Sequence, residues 1–121
     1  MNELSLKEEV ARLLGAIEAS ELEINDLGTP RPVETTEVNE LVDMGPRIVP
    51  FLLTLLGSAS SKRDAYIALV LGRLGDASAL EALRDLKTEY EAKESTSGWE
   101  LSVIAQAEAA IKLLEAMLPE P

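Results

Sequence analysis

The chain repeats itself. Gly45-Pro46-Arg47-Ile48-Val49-Pro50-Phe51-Leu52 and Gly75-Asp76-Ala77-Ser78-Ala79-Leu80-Glu81-Ala82-Leu83 share one plan: a glycine, a turn or capping residue, then an apolar helical segment. The copies stand 30 to 31 residues apart. Ahead of the second runs Ala65-x-x-Ala68-Leu69-x-Leu71-Gly72-x-Leu74-Gly75, whose opening returns as Ala107-x-x-Ala110-Ile111-x-Leu113-Leu114. A single helical hairpin cannot bury its own apolar face, and stacked neighbours complete the core. The repeat therefore points to packed helical hairpins.

Composition agrees. Leu and Ala dominate the apolar set, which favours helices. Strands would call for β-branched and aromatic residues, yet the aromatics are only Phe51, Tyr66, Tyr90 and Trp99. Hydrophobic residues make up 46% of the 121, enough for a packed core in one domain. No apolar run approaches the length of a membrane span and no charged-then-apolar leader opens the chain. Neither a membrane span nor a signal peptide is expected, and a cytoplasmic location fits.

Local signals place the helices. Ser5 with Glu8 forms a capping-box pattern ahead of Leu6, Val10, Leu13, Leu14 and Ile17, predicting a helix from Leu6 to about Ala19 or Leu22. Residues 23–35 read as loop, with Asn25-Asp26, Gly28 and Pro30-Arg31-Pro32. Thr35 or Thr36 caps a short helix carrying Val38, Leu41 and Val42, ended by Gly45. Pro46 and Pro50 suit the first turn of the next helix. That helix is apolar nearly all round, so it is expected to be the most buried element. Ser61 with Asp64 is read as the cap of a fourth helix, and Asp76 or Ser78 as that of a fifth. The last helix is expected from Trp99 to about Leu118, before Pro119. Trp99 is expected to cap the core. Leu52 and Leu69 are expected to be buried between hairpins.

The segment Ala68-Leu69-Val70-Leu71-Gly72-Arg73-Leu74-Gly75-Asp76 resembles the short HEAT-like repeats of bacteria, including those related to phycobilin lyases. The resemblance covers residues 36–118. The Gly45-Pro46 copy keeps its second helix, and the final copy only its first. It implies an all-α, α-α superhelix of about 2.5 to 3 hairpins, with residues 1–35 a divergent N-terminal helix and loop. A three- or four-helix bundle is the alternative.

The chain contains neither histidine nor cysteine. It thus lacks a side chain that titrates unperturbed near neutrality, the commonest zinc ligands and the usual base of a nucleophilic triad. Glu8-Glu9 and Glu89-x-Glu91 have nothing apolar around them to raise a pKa and are assigned no acid–base role. No catalysis, metal or cofactor is expected. The net charge of −11 argues against nucleic acid, whose phosphates require a basic surface. The charge is uneven: −8 over residues 1–45, +2 over 46–88 and −5 over 89–121.

In helical repeats of this kind the second helices of successive hairpins line the ligand-facing surface. The resemblance therefore implies a protein-binding face of Arg47, Thr54, Glu81, Arg84, Asp85 and Thr88. The competing reading is that these are ordinary solvated positions. Arg12 and Arg73 are expected to form ion pairs within their own helices. The function expected is a non-catalytic protein-interaction scaffold with a protein partner, a basic one by charge. The alternatives are an acidic inhibitor (an immunity protein or antitoxin) and, from the resemblance alone, a lyase subunit or pigment chaperone.

Overall fold

The computed structural model describes residues 3–20, 24–26, 29–57, 60–94 and 98–118. It is all-α apart from one small hairpin: α1 (Glu3–Ala19), β1 (Ile24–Asp26), β2 (Thr29–Arg31), α2 (Thr36–Asp43), α3 (Val49–Leu55), α4 (Ser61–Leu74), α5 (Leu80–Ala92) and α6 (Gly98–Ala116). Short 3₁₀ turns at Pro46–Ile48 and Ala77–Ala79 lead into α3 and α5. Leu22 and Pro119, invoked as helix limits, lie outside the described residues.

Boundaries follow local chemistry. Thr35 accepts from the Val38 N–H at the start of α2, and Ser60 from the Arg63 N–H at the start of α4. Gly75 ends α4 in the left-handed conformation, at φ 69°, which only glycine adopts without strain. Asp76 accepts from the Ser78 N–H and starts the turn into α5. Two boundaries differ from expectation. Ser5 lies inside α1, which begins earlier, and Ser60 rather than Ser61 caps α4.

The paired contacts fix how the helices run. Tyr66 meets Trp99, Gly72 meets Ala110 and Gly75 meets Met117, so α4 and α6 run parallel. The start of α4 meets the end of α5 through Asp64 and Tyr90, so those two are antiparallel. Arg84 reaches Glu115, so α5 also runs antiparallel to α6. The α2 helix packs on the other side of α4, and α1 packs on α2, α3 and α4. Glu18, near the end of α1, accepts from Ser60 and pairs with Arg63 at 2.8 Å, holding α1 to the start of α4.

The α4–α6 contact is the tightest. A Cβ added at Gly72 would stand 2.9 Å from Ala110 Cβ and 3.1 Å from its Cα, inside van der Waals contact. Glycine inside a helix costs about 1 kcal/mol relative to alanine. Here it lets two helix backbones close on each other.

Three expectations about packing are corrected. The α4 helix, buried from Asp64 to Ala68 and from Val70 to Gly72, is the most buried element, and α3 is not. In α3 only Val49 and Leu52 are buried, while Phe51, Leu53 and Leu55 are partly exposed, because α1 and α4 cover part of the helix and the cleft towards α5 stands open. Leu69 is partly buried, at a shallow trough between α4 and α6. Finally, the stretch read as loop contains the β1–β2 hairpin, with Asn25 opposite Pro30. Pro30 is tolerated because both strands of a two-stranded sheet are edges. It is buried against the start of α6, where a Cβ on Gly98 would come within 2.5 Å of its ring.

Leu52 and Leu69 therefore separate in a melting experiment. Leu52→Ala should cost on the order of 2–5 kcal/mol. Leu69→Ala should cost clearly less, since part of that side chain already meets water. Equal urea-midpoint losses would show that the trough is closed.

Candidate functional site

The helices α3 and α5 face each other across an open cleft of about 180 Å3. Leu53, Leu56 and Gly57 form one wall; Ala82, Asp85, Leu86 and Glu89 form the other. The floor is aliphatic. Asp85 and Glu89 stand four residues apart on α5, hence on one face of it, and both are exposed. Among the described residues neither carries an ion pair. The cleft thus offers an apolar slot with two free carboxylates along one rim.

Both walls are tied to one buried carboxylate. Asp64, at 1% exposure, lies in the first turn of α4. Its Oδ1 accepts the Gly57 N–H at 2.8 Å, and its Oδ2 accepts the Tyr90 hydroxyl at 2.6 Å. Gly57 lines the first wall, and Tyr90 follows Glu89 of the second. A buried carboxylate without donors is strongly disfavoured, so these two bonds hold the ends of α3 and α5 in register. Burial, reinforced by the bond to Asp64, pushes the Tyr90 phenol from 10.0 up to about 12. The Lys93 ammonium lies 4.1 Å from the centre of the same ring.

Of the six residues read as a binding face, the structure brings Asp85 alone into the cleft. Arg47 is exposed, and its Nε donates to the Met44 carbonyl at 2.9 Å. Thr54 is exposed and donates to the Phe51 carbonyl at 2.8 Å. Glu81 and Thr88 are solvent-exposed positions of α5 outside the cleft lining. Arg84 points the other way, to Glu115 of α6 at 2.8 Å. The mildly basic middle therefore does not give a basic centre, because its arginines are engaged elsewhere. Arg73 likewise pairs with Glu34 ahead of α2 rather than within its own helix, whereas Arg12 does pair within α1, with Glu9. That hydrogen bond holds the half-buried Glu9 carboxyl below its ordinary value.

Leu53, Leu56, Leu86 and Glu89 were missed as cleft residues. The available signal was the Asp85–Glu89 spacing beside Leu86, opposite a helix too apolar for its exposure.

A second cleft, of about 330 Å3, lies between Ile17, Ser20, residues 33–37 and Tyr66. Its central polar groups are already engaged: Tyr66 accepts from the Val33 N–H at 2.9 Å and Thr35 caps α2. Trp99 is partly buried, with its ring 6.1 Å from that of Tyr66 and Lys62 Nζ 5.7 Å from its centroid. It covers an edge of the core. Among the described residues no three carboxylates converge as a metal site, and no helix is long and apolar enough to cross a membrane.

No protein-family model, curated protein or solved structure matches the chain.

The Asp64 bridge yields two measurable expectations. Asp64→Ala leaves the Gly57 N–H without its acceptor and the Tyr90 hydroxyl with only the longer contact to Ser61 Oγ at 3.4 Å, and should cost roughly 2–3 kcal/mol of stability. The raised Tyr90 value favours the neutral phenol in the fold. Its contribution is complete below pH 10 and is lost as pH rises towards about 12. Subtracting the stability curve of Tyr90→Phe from that of the native chain should show this alkaline fall. A flat difference would place Tyr90 in water.

Proposed function

We propose that the protein is a non-catalytic binding scaffold whose α3–α5 cleft holds an apolar side chain of a partner protein flanked by Lys or Arg. The observation that carries the reading is the cleft itself: aliphatic walls with the unpaired carboxylates of Asp85 and Glu89 on one rim. An apolar anchor supplies most of the affinity at such a site, and rim charge mainly governs association rate and partner choice. With a net charge of −11, the chain draws cationic segments towards it over several ångströms at low salt.

The helix order supports the HEAT-like reading. The helices α2, α4 and α6 begin successive repeats, and α4 and α6 run parallel. The second helices α3 and α5 also meet at corresponding ends. That is the relation expected of stacked hairpins, whose second helices form a binding surface. An acidic inhibitor of a basic protein would use the same cleft with a tighter partner.

The test is selection from a displayed random-peptide library, followed by affinity measurements on the selected peptides. Selected sequences should place Lys or Arg beside Leu, Ile, Met or Phe. The double change Asp85→Lys with Glu89→Lys should weaken them tenfold or more, with a reduced salt dependence. Ala82→Phe, which fills the slot from one wall, should abolish binding while the melting curve stays cooperative. Selected peptides indifferent to both variants would remove the cleft as the site.

A further inference from the structure

The outer surface of α6 carries more apolar side chain than a solvated helix needs. Leu101 and Leu113 are 37% and 55% exposed, and Met117, one residue past the end of α6 and beside Gly75, is 62% exposed. Ala105 and Ala109 between them are also exposed. These five positions recur every four residues and form a single ridge of the kind through which helix pairs most often pack. Along the ridge lies a shallow trough of about 180 Å3, lined by Leu69, Gly72, Arg73, Gln106 and Ala110, with Ala109 and Leu113 of the ridge as its near wall. Ridge and trough are the two halves of a ridge-into-groove contact, on one surface.

From this surface we infer that α6 is the contact between two copies of the chain, related by a two-fold axis crossing the helix near Ala109 and Ala110. The two α6 helices then run antiparallel, and each ridge lies against the other copy's trough. An isologous contact requires a self-complementary patch. Charge meets that requirement. Glu108 and Lys112 lie on one flank of the ridge, 3.4 Å apart within the helix. A two-fold axis between them sets Glu108 of each copy beside Lys112 of the other. The other charges nearby are already neutralised, Arg73 by Glu34 and Arg84 by Glu115. So the ridge is bordered by paired charges in a chain whose net charge of −11 would otherwise hold two copies apart.

Size sets the strength. The ridge runs over seventeen residues, from Leu101 to Met117, about 24 Å at 1.5 Å per step and one helix wide. Such a strip is smaller than the roughly 800 Å2 per partner of a standard stable interface. The dimer is accordingly weak and concentration-dependent, and small central residues let the helices approach closely.

Sedimentation equilibrium over a low-micromolar to millimolar range is the test. The mass should rise from 13.1 kDa towards twice that value and stop there. Ala109→Arg, at an exposed helical position, should hold the mass at the monomer value with unchanged helical circular dichroism. Lys112→Glu should shift the monomer–dimer transition to at least tenfold higher concentration. Adding Glu108→Lys to it, which exchanges the two charges, should restore the transition. A monomer at every concentration overturns the inference. So does an open ladder of larger species, or a dimer that survives Ala109→Arg.

Discussion

Asp64 is a carboxylate taken out of water, and the geometry of the cleft depends on how its two oxygens are satisfied. One holds the Gly57 N–H, the other the Tyr90 hydroxyl. Gly57 lies 7 residues before it and Tyr90 26 after it, and both stand where the walls of the cleft end. Separating the end of α3 from the end of α5 would strip a buried charge of its donors, which is far costlier than breaking a surface contact. The width of the cleft is thus set from below, by a group the ligand would never touch. That arrangement lets exposed residues such as Asp85 and Glu89 vary in charge without loosening the walls.

The second constraint is the approach of α4 to α6. With Gly72 against Ala110, the two backbones meet without intervening side chains. The helix carrying Asp64 is therefore fixed on one side by backbone contact and on the other by α2 and α1. Close approach also decides what is left outside. Ala110 is consumed by the α4 contact and Ala107 is buried, whereas Ala105 and Ala109 are exposed. One alanine cluster supplies an internal seam and an external ridge because successive residues on a helix point about a quarter-turn apart.

Where the cause is local, the sequence was legible. Thr35 as a cap, Gly75 as a stop and Pro46 at a first turn act over three or four residues, and the structure places each there. Where the cause is the number of neighbours, it was not. The apolar run 48–56 implied full burial, but burial needs cover all round, and the side of α3 towards α5 is an open cleft. Asp64 was legible as a helix-start residue only. Nothing in the spacing 57, 64, 90 reveals that a glycine amide and a phenol converge on it. Arg84 failed for a related reason: its guanidinium is long enough to choose between α3 and α6, and Glu115, 31 positions away, decides. The Pro30-Arg31-Pro32 signal was read as loop, yet Pro30 sits in β2, because proline avoids central strands but is tolerated at an edge. It could not show that an edge strand docks on Gly98.

Taken together, the charges divide the molecule. Arginines 63, 73 and 84 are each bound to a glutamate from another element, so they serve as clasps between helices. Once these pairs are set aside, Asp85 and Glu89 at the cleft remain uncompensated. Around the α6 ridge almost nothing is. The two surfaces should therefore respond to salt in opposite ways. Screening weakens attraction of a cationic segment to the cleft. At the ridge it removes the general repulsion between two chains of charge −11 while leaving apolar contact intact. Arg84 links the two physically. Held to Glu115, it neutralises the flank of α6, and because it points away from the cleft it brings no cation to Asp85.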